Sequence, residues 1–147
     1  MYRDARLVSL QQYPKCLGDS NEQEKERPGS WWRAFLEENP AFVVLQDGVV
    51  KGIVNIGRIL APNSPAAAIV NVWRDEQLSG ARIGDRLMTA ALDWANQNKV
   101  TQIFLLVFEG CEDAEKLYRR HGFKREREKK PLPDGRRVYE MALRSGA

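Results

Sequence analysis

The chain has little of what metal, redox and membrane proteins usually require. It has one histidine and two cysteines in 147 residues. Cys16 and Cys111 form no Cys-x-x-Cys pair and lie at no metal-ligand spacing from His121, so we expect free thiols and no metal site. No apolar run reaches the roughly 18 residues of a membrane helix, and the N-terminus lacks the basic-then-apolar pattern of a secretory signal. These absences favour a cytoplasmic protein without a membrane span.

What the chain does contain is typical of one globular domain. Hydrophobic residues make up 43% of the sequence and charged residues 29%, which suits one core, and we predict a single domain over residues 1–147. The net charge of +3 is unevenly spread. Lys and Arg greatly outnumber acids from Lys116 to Arg137, a stretch called here the basic segment. It is either a solvated surface or a site for phosphates, an acidic substrate or RNA.

Hydrophobic periodicity and turn residues predict a mixed α+β fold. Helices are expected over 4–12, 30–39 with Ser30 as its cap and 80–98, and a short helix stopped by Gly122 is expected within 114–123. Strands are expected over 42–45, 49–56, 67–73, 102–108, 123–126 and 137–143. The Asp47-Gly48 pair is a strong hairpin signal. The order strand, long helix, strand over 67–108 implies a right-handed parallel crossover. The nearly continuous apolar run over 102–108 is typical of a central strand covered on both faces.

A loop of small residues opens the long helix and is the first candidate site. Small residues let the backbone approach a phosphate, while the helix start offers unpaired N–H groups and a partial positive charge. Glycine spacing alone is weak evidence, because many helix starts contain glycine for packing. The loop consists of Ser79, Gly80, Ala81, Arg82, Ile83, Gly84 and Asp85.

A second motif follows about thirty residues later. Its helical face and the glycine that ends the helix are formed by Ala114, Leu117, Tyr118, Gly122 and Phe123. In this order and at this distance, the two motifs resemble those of the GNAT superfamily of N-acetyltransferases. The resemblance covers Val43 to Leu143. It implies a mostly antiparallel central sheet with flanking helices and a parallel β-α-β crossover.

The resemblance also implies an activity and a co-substrate. It predicts an enzyme that uses acetyl-coenzyme A and transfers the acetyl group to a primary amine of a small molecule or a protein by direct attack. The small-residue loop, Cys111 and Ala114 are then expected to bind the cofactor. Val72 and Trp73 are expected to flank the pantetheine arm and the thioester. The Tyr118 hydroxyl is expected to reach the sulfur and protonate the departing thiolate, whereas a lone tyrosine would be read as a core aromatic.

An amine is largely protonated at neutral pH, so the reaction needs a base, a water chain or desolvation. Glu109, just after the apolar run ending at Phe108, is the predicted base, and Glu76 is a second candidate. The alternative interpretation of either acid is a plain surface position.

The chain departs from the family pattern at several positions. Ser79 stands where Arg or Gln is usual, Arg82 where glycine is usual, and Cys111 where asparagine is usual. These departures keep open a fold-sharing protein that binds acetyl-coenzyme A without turnover. The basic segment keeps open an acetyltransferase for aminoacyl-tRNA, although nucleic acid is the less expected partner.

The N-terminal part adds two further expectations. Residues 1–3 leave almost no room for the strand that normally precedes the first helix of the family. The sheet should then have an unpaired edge, which would favour a homodimer. Trp31, Trp32 and Phe35 are either walls of the acceptor pocket or plain core.

Overall fold

The computed structural model describes residues 2–12, 24–75 and 82–144. Four helices and six strands are assigned within these residues. In chain order they are α1 (Tyr2–Gln12), α2 (Gly29–Glu38), β1 (Ala41–Gln46), β2 (Val49–Arg58), β3 (Ala66–Arg74), α3 (Ile83–Gln97), β4 (Gln102–Phe108), α4 (Glu112–Arg120), β5 (Lys124–Glu128) and β6 (Val138–Arg144). The mixed α+β class predicted from the sequence is confirmed.

The described strands form one sheet in the order β1-β2-β3-β4-β6-β5. All neighbouring pairs are antiparallel except β3 and β4, which are parallel and joined through α3. The predicted crossover is therefore present. The predicted hairpin joins β1 to β2, with positive φ at Asp47 (52°) and Gly48 (79°), the pairing of signs that a two-residue hairpin turn requires.

The main core lies between the sheet and helices α3 and α4. The predicted apolar stripe of α3 is buried there, with Ile83, Leu87, Ala91 and Ala95 facing the sheet and Met88 joining them. Alternate residues of β4 complete the layer. This burial fixes α3 against the sheet.

The opposite sheet face is covered at the β1–β3 end by α1. Ala5 packs there with Val50, Ile53 and Trp73. The Tyr2 hydroxyl donates to Asn55 Oδ1 at 2.5 Å. Asn71 Nδ2 donates to the same Asn55 oxygen at 2.9 Å and to the Tyr2 hydroxyl at 3.1 Å, so these buried polar groups satisfy one another.

Two local predictions are corrected. The N-cap of α2 is Pro28, without a side-chain cap bond, rather than Ser30. Strand β4 is buried on one face only, because Leu106 on the other face is 51% exposed. That face borders an open cleft instead of a second layer of helices.

In the described part of the chain, the sheet begins with β1, which follows two helices. Strand β1 is an edge of the sheet, and Val43 and Leu45 on it are exposed. The homodimer stays a prediction. None of the described helices has the length and apolarity needed to cross a membrane.

Candidate active site

The candidate site is a cleft of about 1030 Å³ where two parallel strands diverge. Strands β3 and β4 pair only from Ala66 with Gln102 to Ala68 with Phe104. Beyond these residues the strands run on without ladder pairs in the described chain. Val70 is a bulge on β3, because Asn55 and Ile56 of β2 pair with Asn71 and Ile69 and leave Val70 without a partner. The chain thus forms an opening with backbone on both sides.

The cleft brings the two sequence motifs together. Every predicted cofactor-binding residue that the structure describes lines it: Val72, Trp73, Arg82, Ile83, Gly84, Asp85, Cys111, Ala114 and Tyr118. Ser79, Gly80 and Ala81, together with the alternative base Glu76, lie outside the described residues. A wall formed by a helix start at one end and a phenol farther along suits an elongated phosphate-bearing thioester.

The first turn of α3 is held close to α4. A Cβ at position 84 would lie 3.0 Å from Leu117 Cδ2, closer than side chains normally pack. Gly84 therefore lets the two helices approach, which is the packing role that glycine often has at a helix start. Leu117 immediately precedes Tyr118, so this contact also fixes where the phenol lies relative to the helix start.

Asp85 ties the same two helices together. Its carboxylate accepts hydrogen bonds from Arg120 (3.1 and 3.3 Å) and lies 2.8 Å from His121 Nε2. The Arg120 hydrogen bond, followed by that of His121, lowers the pKa of Asp85 below its ordinary value. Because these partners occupy the carboxylate, its charge is neutralised beside the helix start where a phosphate would be received.

We expect Asp85→Asn to lower the free energy of unfolding by about 1 kcal/mol at pH 7. The folded-state pKa is depressed, so the Asp85 contribution is complete above the unfolded pKa of about 4 and disappears as pH falls through the folded value. Urea denaturation at neutral and acidic pH measures the difference. Asp93→Asn is the control, because Asp93 is exposed on the same helix. An effect of Asp85→Asn that is equal at pH 7 and pH 3 would contradict this role.

Tyr118 is buried against Phe123, with 7% of its surface exposed and ring centroids 6.3 Å apart. Its hydroxyl has no hydrogen-bond partner among the described residues. Burial raises the pKa of Tyr118 to about 12. The phenol therefore stays protonated at neutral pH and retains a proton to donate to a group bound in the cleft.

Cys111 differs from its predicted state. It immediately precedes α4, lines the cleft and is disulfide-bonded, so the expectation of a free thiol is wrong at this position. The only other cysteine of the sequence is Cys16, which lies outside the described residues. Sequence spacing did not predict the bond because it depends on which segments the fold brings together. A disulfide sulfur has no S–H to donate in place of an asparagine amide.

The predicted base and the cleft are separate. Glu109 is about half exposed, lies 3.5 Å from Arg137, and is absent from the lining of the cleft. Glu140 on β6 does line the cleft and is buried, with its carboxylate 3.0 Å from Arg127 and 3.3 Å from Lys129. Sequence reasoning missed Glu140 because only the pairing of β6 with β4 places it there.

The basic segment is largely charge-compensated. Its guanidinium groups face carboxylates in the pairs Arg119–Glu115, Arg125–Glu115, Arg127–Glu140, Arg136–Asp134 and Arg137–Glu128. Paired arginines contribute less to a field that would attract a polyanion. The arrangement favours the solvated-surface interpretation, and the RNA-directed alternative stays a prediction.

A smaller cavity of about 260 Å³ adjoins the cleft. Val70 and Asn71 line both spaces. The aromatic residues of the N-terminal part form the other walls, and Trp32 is also buried core. A core role therefore holds for Trp32, and the role of these aromatics as walls of an acceptor pocket stays a prediction. The remaining lining residues are Tyr2, Arg6, Glu24, Arg27, Trp31, Trp32 and Phe35.

Comparisons with known proteins agree with this geometry. The model of the acetyltransferase (GNAT) family matches residues 7–123. The fold is similar to that of ribosomal-protein-alanine N-acetyltransferase from Brucella melitensis (TM-score 0.74, 18% identity, 97% of this chain and 94% of that chain covered). It is also similar to that of ribosomal-protein-S18-alanine N-acetyltransferase from Escherichia coli (TM-score 0.71, 21% identity, 99% of this chain and 89% of that chain covered). A third similar structure is a Bacillus subtilis acetyltransferase in complex with CoA (TM-score 0.65, 14% identity, 89% of this chain and 97% of that chain covered). Comparison with curated proteins finds no match.

Proposed function

Since the chain belongs to the GNAT acetyltransferase family, which uses acetyl-coenzyme A, we propose that it transfers the acetyl group to a primary amine of a small molecule or a protein. One observation carries the proposal. The cleft between the diverging strands unites the start of α3 with Tyr118, whose ring is buried and whose hydroxyl has no partner among the described residues. Such a site can bind the phosphates of the donor at one end and act on its thioester at the other.

The proposed reaction is a direct attack. The nitrogen of a neutral amine forms a bond to the thioester carbonyl carbon, and the carbon–sulfur bond breaks. The Tyr118 hydroxyl gives its proton to the departing thiolate, while the amine gives up a proton to a base or to water. Tyr118 suits the acid role because its raised pKa keeps it protonated until it meets a stronger base in the transition state.

Two carboxylates are proposed as candidate bases. The role of Glu109 stays a prediction from the sequence, and Glu140 is added because it lines the cleft. If Glu140 takes the proton, Glu140→Gln lowers kcat about a hundredfold and Glu109→Gln leaves it near the original value. Steady-state rates of both variants decide between them. If kcat instead falls in Glu109→Gln and stays near the original value in Glu140→Gln, Glu109 is the base and Glu140 is not.

The acceptor is proposed to approach past Val70 and Asn71, where the cleft and the smaller cavity meet. The exposed apolar side chains of Val70, Leu106 and Leu60 border the cleft on this side. An open apolar floor of this kind accepts an extended chain more readily than an enclosed pocket would. We therefore favour the amine end of a peptide, as acted on by the ribosomal-protein-alanine enzymes with a similar fold.

The test is thiol release from acetyl-coenzyme A in the presence of N-terminal peptides, lysine peptides and small amines. Mass spectrometry of the acceptor identifies the acetylated nitrogen. Release with at least one amine, and none without an amine, is the expected result. Tight acetyl-coenzyme A binding with no release across the whole panel would instead support the alternative of a protein that binds the thioester without turnover.

A further inference from the structure

Asn71 lies on β3 where the cleft and the smaller cavity meet. It lines both spaces, and only 7% of its surface is exposed. Along the strand it follows the bulge at Val70 and precedes Val72 and Trp73, which are expected to flank the thioester. A polar group at this position therefore lies between the proposed approach of the acceptor and the proposed place of the reacting carbonyl.

Hydrogen bonds to neighbouring side chains fix the orientation of the Asn71 amide. Asn55 Nδ2 donates to the backbone oxygen of Asn39 at 2.9 Å, so the Asn55 oxygen is the atom left to face Asn71. Because this oxygen is an acceptor, Asn71 presents its NH₂ group to it, at 2.9 Å. The same NH₂ group donates to the Tyr2 hydroxyl at 3.1 Å. Both N–H donors of Asn71 are thus used, and the amide cannot turn over without losing both bonds.

The oxygen of the same amide is left unbound by the described residues. Asn71 Oδ1 accepts no hydrogen bond from them, since both side-chain bonds of Asn71 are made by Nδ2. This oxygen is not fully enclosed by protein. A polar atom on so buried a side chain is normally hydrogen-bonded, and an unpaired one lowers stability. The N–H groups are held by Tyr2 and Asn55, so the oxygen is available to a donor that enters from the cleft or the cavity.

We propose that Asn71 Oδ1 accepts a hydrogen bond from the acceptor nitrogen and orients this nitrogen for attack on the thioester. The assignment rests on the proposed acetyl transfer. A primary amine has N–H donors besides the lone pair that attacks, so one N–H can bind Asn71 while the lone pair points at the carbonyl carbon. The amide takes no proton from the amine. Asn71 thus holds the nucleophile in place, and the base remains a separate group.

The test compares Asn71→Leu and Asn71→Asp with Tyr2→Phe. Leucine removes the oxygen at nearly unchanged size, whereas aspartate keeps oxygen acceptors and adds a negative charge. Tyr2→Phe is the control for loosening of the network, because it removes one partner of the Asn71 NH₂ group and leaves Oδ1 in place. The probe is a peptide with an N-terminal alanine. Calorimetric titration of the peptide into the protein loaded with coenzyme A measures binding of the amine without turnover.

We expect Asn71→Leu to weaken the Kd of the peptide about tenfold and Tyr2→Phe to change it by less than about twofold. The α-amino group of the peptide is protonated at pH 6, and the carboxylate of Asn71→Asp stabilises this form. Asn71→Asp should therefore bind the peptide more tightly than the original protein at pH 6, and the rise of its kcat with pH should move to higher pH. Binding of coenzyme A should be unchanged in all three variants.

Equal effects of Asn71→Leu and Tyr2→Phe on the Kd of the peptide would overturn the proposal. It would also be overturned if Asn71→Asp bound the peptide no more tightly than the original protein at pH 6, or if the loaded original protein did not bind the peptide. The proposed function fails in a different way, when the peptide binds but no thiol is released with any amine of the panel.

Discussion

Replacing Tyr118 by phenylalanine lowers kcat about a hundredfold, the usual size of a general-acid contribution. Phenylalanine keeps the ring that packs against Phe123 and removes only the hydroxyl. Binding of coenzyme A should therefore change little, and the melting temperature should remain near that of the original protein. Thiol release measured at saturating acetyl-coenzyme A gives the rate, and calorimetry gives the affinity.

The matched control is Tyr139→Phe. Tyr139 lies on β6, packs against the same core and is absent from the lining of the cleft, so its hydroxyl should not affect kcat. Because burial raises the pKa of Tyr118 to about 12, ionisation of this phenol should cause no loss of activity in the mildly alkaline range. Full activity of Tyr118→Phe would remove the acid role and leave Tyr118 as a packing residue.

Replacing Glu24 by glutamine lowers the free energy of unfolding by about 3–5 kcal/mol. Glu24 accepts two hydrogen bonds of 2.9 Å from Arg6 Nε and Nη2. The exposed fractions of the two side chains are 8% for Arg6 and 1% for Glu24. Without the carboxylate, Nε and Nη2 of the buried guanidinium lose their charged acceptor. Since folded domains are stabilised by only about 5–15 kcal/mol, urea denaturation should show a large shift of the midpoint.

Two further variants separate charge burial from other effects. Asp4→Asn breaks the exposed Arg3–Asp4 pair of the same helix and should cost well under 1 kcal/mol. The double variant Arg6→Met with Glu24→Met should be more stable than Glu24→Gln alone, because it leaves no unpaired buried charge. A double variant that is as unstable as the single one would show that packing, and not the ion pair, dominates.

Much of the fold could be predicted because its local signals agree with its tertiary packing. The apolar stripe of α3 predicted a helix on one face of the sheet, and the Asp47-Gly48 pair predicted the β1–β2 turn. The run over 102–108 predicted the bounds of β4 correctly, but it predicted burial of both faces where only one is buried. Sequence hydrophobicity cannot reveal that Leu106 faces a cleft, because the apolar floor of a binding site and a buried core use the same residues.

Only those residues of the candidate site that belong to a sequence motif could be predicted. The two motifs predicted that the start of α3 and Tyr118 contact the same bound molecule, and their described residues line one cleft. Glu140 and the disulfide state of Cys111 had no comparable signal, since each depends on contacts between distant segments.

A crystal structure with bound coenzyme A tests the central claim most directly. The account predicts the diphosphate at the start of α3, and the sulfur within hydrogen-bond distance of the Tyr118 hydroxyl. A ligand whose sulfur lies away from Tyr118, or whose diphosphate contacts a different part of the surface, would contradict the account.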